Sequence, residues 1–190
     1  KQGQVEESAS VMQESLAIAR STSDTYWKSI ALKDIAVGMS KQGQVVESIS
    51  VANDLKSYEK WNTLQLIAIE VCKQGKVEES LKIARNLEDE NYKSNTLKDI
   101  AIVLNKKKEI DLAYSLLLES LACSRELGDE FWVDSPKKDI AIELCKIGRL
   151  EEAMALTKKI ERDYEQAEAL ESIAIELCKQ GRTEESLQIA

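Results

Sequence analysis

The sequence predicts an all-α chain of about five to six stacked antiparallel helical hairpins, an α-solenoid, on three observations. A Lys-Gln-Gly string recurs at 1–3, 41–43, 73–75 and 179–181, with Lys-Ile-Gly at 146–148. Apolar residues keep register with that string at spacings of three and four, the period of an amphipathic helix. A single Pro in 190 residues leaves almost nothing to interrupt helical hydrogen bonding.

The repeat carries the prediction, because internal periodicity decides the fold before local propensity does. A sixth, degenerate copy is Asn105-Lys106-Lys107-Lys108, in which Lys108 takes the glycine's place. The marker positions 3, 43, 75, 108, 148 and 181 are separated by 40, 32, 33, 40 and 33 residues. Eight and seven residues before the marker come Ile35-Ala36, Ile67-Ala68, Ile100-Ala101, Ile140-Ala141 and Ile173-Ala174. Four before it come Met39, Val71, Leu104, Leu144 and Leu177. Five after it come Ser8, Ser48, Ser80, Ala113, Ala153 and Ser186.

Each unit reads as a helix A, a glycine turn, a helix B and a short polar link. Glycine accepts the left-handed conformation that ends a helix, so it belongs just past the last turn of A. The A helices are predicted near 25–41, 58–73, 91–106, 131–146 and 164–179. The B helices are predicted near 4–20, 44–56, 76–87, 109–127 and 149–161, with another from 182. The links contain Asp24, Asp89 and Asp129, which suit helix N-caps. Pro136 is expected to shorten the fourth A helix to a start near Ser135, or to kink it. A single hairpin cannot bury its apolar face, so successive hairpins must stack.

The two 40-residue units carry their surplus in helix B. Val11 to Ala17 corresponds to Leu116 to Ala122, and the aromatic pairs Tyr26-Trp27 and Phe131-Trp132 follow with the same offset of 105. Each pair either covers the added turns of its own long helix or forms a ledge, with Trp27 and Trp132, that docks a partner.

Composition excludes several functions. The net charge is −8 and the pI about 4.9, which disfavours nucleic acid and anionic membrane surfaces. No apolar run reaches the ~20 residues that span a bilayer. There is no His, which removes the commonest general base and the His-containing triads and metal sites. With no phosphate-binding Gly loop and no nucleophile beside a base, the expectation is a chain that is not an enzyme and takes no cofactor and no metal. Cys72, Cys145 and Cys178 all precede the marker by three. Neighbouring A helices lie about 8–10 Å apart, too far for a disulfide, so these thiols are expected in a reducing, cytoplasmic compartment. The chain starts without Met and in mid-motif, and reads as one repeat domain, 1–190, cut from a longer array.

The pattern resembles the tetratricopeptide repeat family over essentially the whole chain. Ile67-Ala68, Val71, Gly75, Val77, Ser80 and Ala84 carry the resemblance, spaced as in that family. It departs at the early-A aromatic, which is Leu32, Leu64, Leu97 and Leu170 here and Lys137 in unit 5; the closing proline is absent, and two units are seven residues too long. Pentatricopeptide repeats are similar in length but bind RNA and are normally basic, against this chain's acidity. Sel1-type repeats are longer, but in their turns. The resemblance implies a right-handed superhelix acting as a protein-binding scaffold, with a protein or peptide partner on the concave face of the A helices.

On that implication the candidate binding residues are the aliphatic row six before the marker (Val37, Ile69, Ile102, Ile142 and Ile175), edged by two polar rows. Ten before lie Lys33, Gln65, Lys98, Lys138 and Glu171. Two before lie Lys41, Lys73, Lys106, Lys146 and Lys179. Either the stripe is an open groove for an amphipathic, partly acidic helix or extended peptide, or it is buried between neighbours while the lysines complement helix dipoles. The carboxylate-clamp type of tetratricopeptide domain has Asn where this stripe has Val or Ile, so chaperone tails are not expected. The alternative function is self-association through the ends or the long B helices.

Overall fold

The structure, a computed structural model, describes the backbone of residues 2–125 and 130–189 and side chains within 11–124 and 134–189. Among these, eleven α-helices and no strand are present: α1 (Gln2–Ser21), α2 (Thr25–Lys41), α3 (Val45–Ala52), α4 (Ser57–Lys73), α5 (Val77–Arg85), α6 (Glu90–Lys106), α7 (Ile110–Arg125), α8 (Glu130–Lys146), α9 (Leu150–Thr157), α10 (Asp163–Lys179) and α11 (Thr183–Ile189). The five A helices are α2, α4, α6, α8 and α10, each 17 residues long. The B helices differ as the repeat lengths require: α7 has 16 residues against nine in α5.

The chain forms two compact units, Lys1–Leu87 and Glu88–Ala190. In the first, α1 packs on α2, the hairpins α2/α3 and α4/α5 close on themselves, and α2 packs on α4. In the second, the hairpins are α6/α7, α8/α9 and α10/α11, and α8 lies between α6 and α10. This is the all-α helical-repeat organisation that the period demands.

The turns follow the chemistry of the marker. Gly43, Gly75, Gly148 and Gly181 have φ of 81°, 87°, 83° and 76°, and Lys108 takes the same left-handed conformation at 64°. In each turn the second residue past the helix cap reaches back to a carbonyl five residues earlier, as Lys76 N–H does to Val71 (3.2 Å) and Glu109 N–H to Leu104 (3.0 Å). That bond satisfies a carbonyl the helix end would leave open. A non-glycine residue in this conformation costs about 1–2 kcal/mol. Lys108→Gly is therefore expected to raise stability by about 0.5–1 kcal/mol after the glycine's greater unfolded-state entropy is subtracted, measured by urea unfolding. Gly3 lies in the first turn of α1.

The core is built from the repeated rows. Ile67, Ile100, Ile140 and Ile173 are fully buried, as are Ala36, Ala68 and Ala141. The small Ala lets helix B approach, and the small Ser opposite donates across the gap: Ser80 Oγ to the Ala68 carbonyl (2.7 Å) and Ser186 Oγ to the Ala174 carbonyl (2.9 Å). The added turns of α7 are held by Leu116 and Leu117, both buried, and by a reciprocal bond in which Ser94 Oγ donates to the Ser120 carbonyl and Ser120 Oγ to the Ser94 carbonyl.

Two alternatives that the sequence left open are each narrowed by one branch. α8 starts at Glu130 and runs through Pro136 instead of starting near Ser135. The proline removes one N–H bond, but Asp134 and Lys137 on either side are anchored to the α9–α10 link and hold the turn. Tyr26 and Trp27 stay largely in solvent, 68% and 62% exposed, rather than covering α1. Asp24 caps α2 by accepting from the N–H groups of both, which fixes them in its first turn, and their rings meet edge to face at 5.3 Å. Asp89 caps α6 in the same way, through Tyr92 N–H. The link at Asp129 and the side chains of Phe131 and Trp132 lie outside the described residues.

Candidate functional site

The row ten before the marker becomes a cross-helix ion-pair system in the second unit. Lys98 on α6 reaches Asp139 on α8 at 2.6 Å. Lys138 on α8 reaches Glu165 and Glu168 on α10 at 2.9 and 2.8 Å. Burial favours the neutral amine of Lys138, but its bonds to Glu168 and Glu165 outweigh that and push its pKa up. These two lysines are therefore engaged in stacking one A helix on the next. In the first unit Lys33 and Gln65 are half-buried, and Lys33 lies 3.8 Å from Asp34.

The aliphatic row is open to different degrees. Val37 and Ile69 in the first unit and Ile102 and Ile142 in the second are half-buried, and Ile175 is 48% exposed. None of the five lies in the fully buried core. On the second unit Ile102 and Ile142 floor a shallow depression of about 270 Å³, walled by Lys98, Asp139, Glu143 and Lys146. Small-molecule sites usually enclose about 300–1,000 Å³, so this depression suits one bulky side chain of a longer ligand.

Lys41, Lys73, Lys106, Lys146 and Lys179 each end an A helix and are exposed. Three of them pair with a glutamate three residues back: Lys73 with Glu70, Lys146 with Glu143 and Lys179 with Glu176. Lys41 and Lys106 have Gly38 and Val103 in the equivalent places. The wall of the depression is accordingly mixed in sign, with Lys98 and Lys146 balanced by Asp139 and Glu143.

Two structural roles escaped the sequence reading. The glutamine of Lys-Gln-Gly ties neighbouring A helices: Gln74 Nε2 donates to the Ser40 carbonyl (2.7 Å), and Gln180 Nε2 to the Cys145 carbonyl (3.5 Å). Both acceptors stand three before their own marker, so the recurrence of Gln at 42, 74 and 180 was the available signal. Asp134 is the second. Its fully buried carboxylate accepts from Lys137 Nζ (2.9 Å) and from the Glu161 and Arg162 N–H groups (3.2 and 3.0 Å). Lys137, the departure from leucine in that row, also donates to the Lys159 carbonyl (3.0 Å).

None of the four cysteines is in a disulfide; Cys72 and Cys145 are buried, Cys178 is exposed and Cys123 is half-buried. Burial, then the carboxylates of Glu176 and Glu185, push the Cys145 thiol up, which makes it a poor nucleophile. Among the described residues no cluster of acidic or cysteine side chains could hold a metal ion, and no helix is long and apolar enough to cross a membrane.

These hairpins define a class, the TPR-like helical repeat. Solved structures with the same fold include a protein from Podosopora anserina described as a kinesin light chain with nearly identical TPR-like repeats. It is 14% identical, at a TM-score of 0.50, over 84% of this chain and 90% of that one. A single-substitution variant of that protein matches over 84% and 89%, with the same identity and TM-score. No family model matches the sequence, and no curated protein matches it.

Proposed function

We propose that the chain is a non-catalytic protein-interaction scaffold that seats a peptide or helix of a partner protein on the A-helix face of its second unit. The supporting observation is the depression over Ile102 and Ile142, apolar at the floor and charged at the rim. Such a surface fits an aliphatic anchor flanked by polar groups of both signs. It favours a ligand less acidic than unpaired lysines would have chosen, because Lys98 already holds Asp139.

The test is a pull-down with the protein and with Ile102→Asp/Ile142→Asp, scored by mass spectrometry. Both residues are half-buried, so the variant is expected to keep its helix content while its specific partners fall by at least about tenfold, the effect of ~1.4 kcal/mol. A folded variant that retains the same partners removes this site. Self-association is the second reading. Exposed apolar side chains on the long B helices favour it: Val11 and Ile18 on α1, Leu112 and Leu118 on α7. Light scattering on the same samples separates the two, since a monomer at micromolar concentration leaves only the scaffold.

A further inference from the structure

Tyr26 and Tyr58 both stand seventeen residues before their marker glycine, in the first turns of α2 and α4, and both are exposed. Tyr164 holds the same position on α10 and is exposed too, so the feature goes with the repeat position and not with a place along the chain. Trp27 is also exposed and meets Tyr26 edge to face. Rings held in water at one edge of the first unit add little to its core, whereas Tyr and Trp serve well at binding surfaces. We infer that this edge binds a proline-rich segment of another protein in the polyproline II conformation, with acidic residues beside the prolines.

The spacing selects the conformation. α2 packs directly on α4, and helices in contact lie about 8–10 Å apart. Tyr26 and Tyr58, at equivalent positions on the two, are offset by about that distance. A polyproline II helix returns to the same face every three residues, and a rise of about 3.1 Å per residue makes that about 9 Å. Prolines at i and i+3 therefore meet Tyr26 and Tyr58 in turn, and Trp27 widens the first platform. Successive turns of an α-helix are about 5.4 Å apart and alternate residues of a strand about 6.7 Å, so neither presents consecutive same-face residues at this spacing. Such a segment also arrives preformed, with its backbone solvated, and needs no groove to satisfy it.

The charge selects the flanking residues. Lys56 is exposed just before α4, and Lys28 and Lys60, each two residues after its tyrosine, are half-buried. Of the acids here, Asp54 is paired with Arg20, and Asp24 is engaged by the N–H groups of Tyr26 and Trp27. Glu59 then stands against three lysines, a local positive balance on a chain whose net charge is −8. With three residues per turn, every third residue of the ligand lies along one edge, so carboxylates spaced by three face the lysines while the prolines face the rings.

Three labelled peptides test this on the 190-residue protein by fluorescence anisotropy: repeated Pro-Pro-Glu, repeated Pro-Pro-Lys and repeated Gly-Ser-Glu triplets. The Pro-Pro-Glu peptide is expected to bind at least about tenfold more tightly than either of the others. Trp27→Ala/Tyr58→Ala is expected to weaken it at least about tenfold, with circular dichroism checking that the variant folds. Lys56→Glu, at an exposed position, is expected to erase the preference over Pro-Pro-Lys. No binding of the Pro-Pro-Glu peptide up to about 1 mM, binding no tighter than that of Gly-Ser-Glu, binding unchanged in the aromatic variant, or a preference unchanged by Lys56→Glu would each overturn the inference. So would a dimer that the aromatic variant dissolves, since a second copy would then be the occupant. Ile102→Asp/Ile142→Asp leaves this edge intact and is expected to bind the peptide as the parent does. Loss of binding in that variant would place the peptide on the α6/α8 face and overturn the inference, so the two sites fail separately.

Discussion

Asp134→Ala is expected to lower the stability of the second unit by about 3–5 kcal/mol, the range for breaking a buried pair by removing one partner. The side chain is 1% exposed. Its loss strands two donors in the α9–α10 link, the N–H groups of Glu161 and Arg162, and takes a counter-charge from Lys137, which is only 15% exposed. Asp134→Asn keeps an acceptor oxygen and should cost less, about 1–2 kcal/mol. Urea unfolding followed by circular dichroism gives both values.

The same carboxylate has a pH signature. Burial works against its ionisation, but Lys137 and the N–H groups of Arg162 and Glu161 outweigh that and hold it below its ordinary 3.8. On acidification the unfolded chain therefore takes up the proton first. The stabilisation is fully present above the unfolded value and is lost as pH falls through the lower folded one. The stability difference between the protein and Asp134→Asn should accordingly shrink as pH drops below about 4. A constant difference down to about pH 2.5 would mean that geometry, not charge, is what Asp134 contributes.

Why the sequence foretold the helices but not this residue follows from where each signal lies. The A helices end at Lys41, Lys73, Lys106, Lys146 and Lys179, as the marker requires, because a left-handed residue and a reverse turn are local chemistry repeated five times. Even Lys108, without a glycine's freedom, takes the turn because its neighbours on both sides pack as in the other copies. Asp134 has no counterpart: Ser29, Trp61, Ser94 and Ala167 hold its place in the other repeats. Of its partners only Lys137 stands at a helical spacing; the two N–H groups that make it structural, of Glu161 and Arg162, lie 27 and 28 residues ahead. The fate of Lys98 and Lys138 was hidden for a related reason. Their acids stand at different repeat positions, Asp139 nine before its marker and Glu168 thirteen before, so aligning the copies does not align the pairs.

Ile140→Ala should cost about 2–5 kcal/mol, and Ile142→Ala, two residues away, no more than about 1 kcal/mol. Two residues turn an α-helix by about 200°, so the rows eight and six before the marker face opposite sides. Ile140 is fully buried, while Ile142 lies half-buried in the floor of the depression. Deleting the first leaves a cavity in a fully buried, close-packed position; deleting the second removes surface already partly in water. For a unit of this size, about 1 kcal/mol moves the Tm by about 4–8 °C, so thermal melts of the two variants should separate clearly. The comparison also tests whether the Ile142 row is independent of the core, which a partner anchor there requires. Should Ile142→Ala destabilise as much as Ile140→Ala, the row belongs to the core, and the α6/α8 face has no anchor to offer a partner.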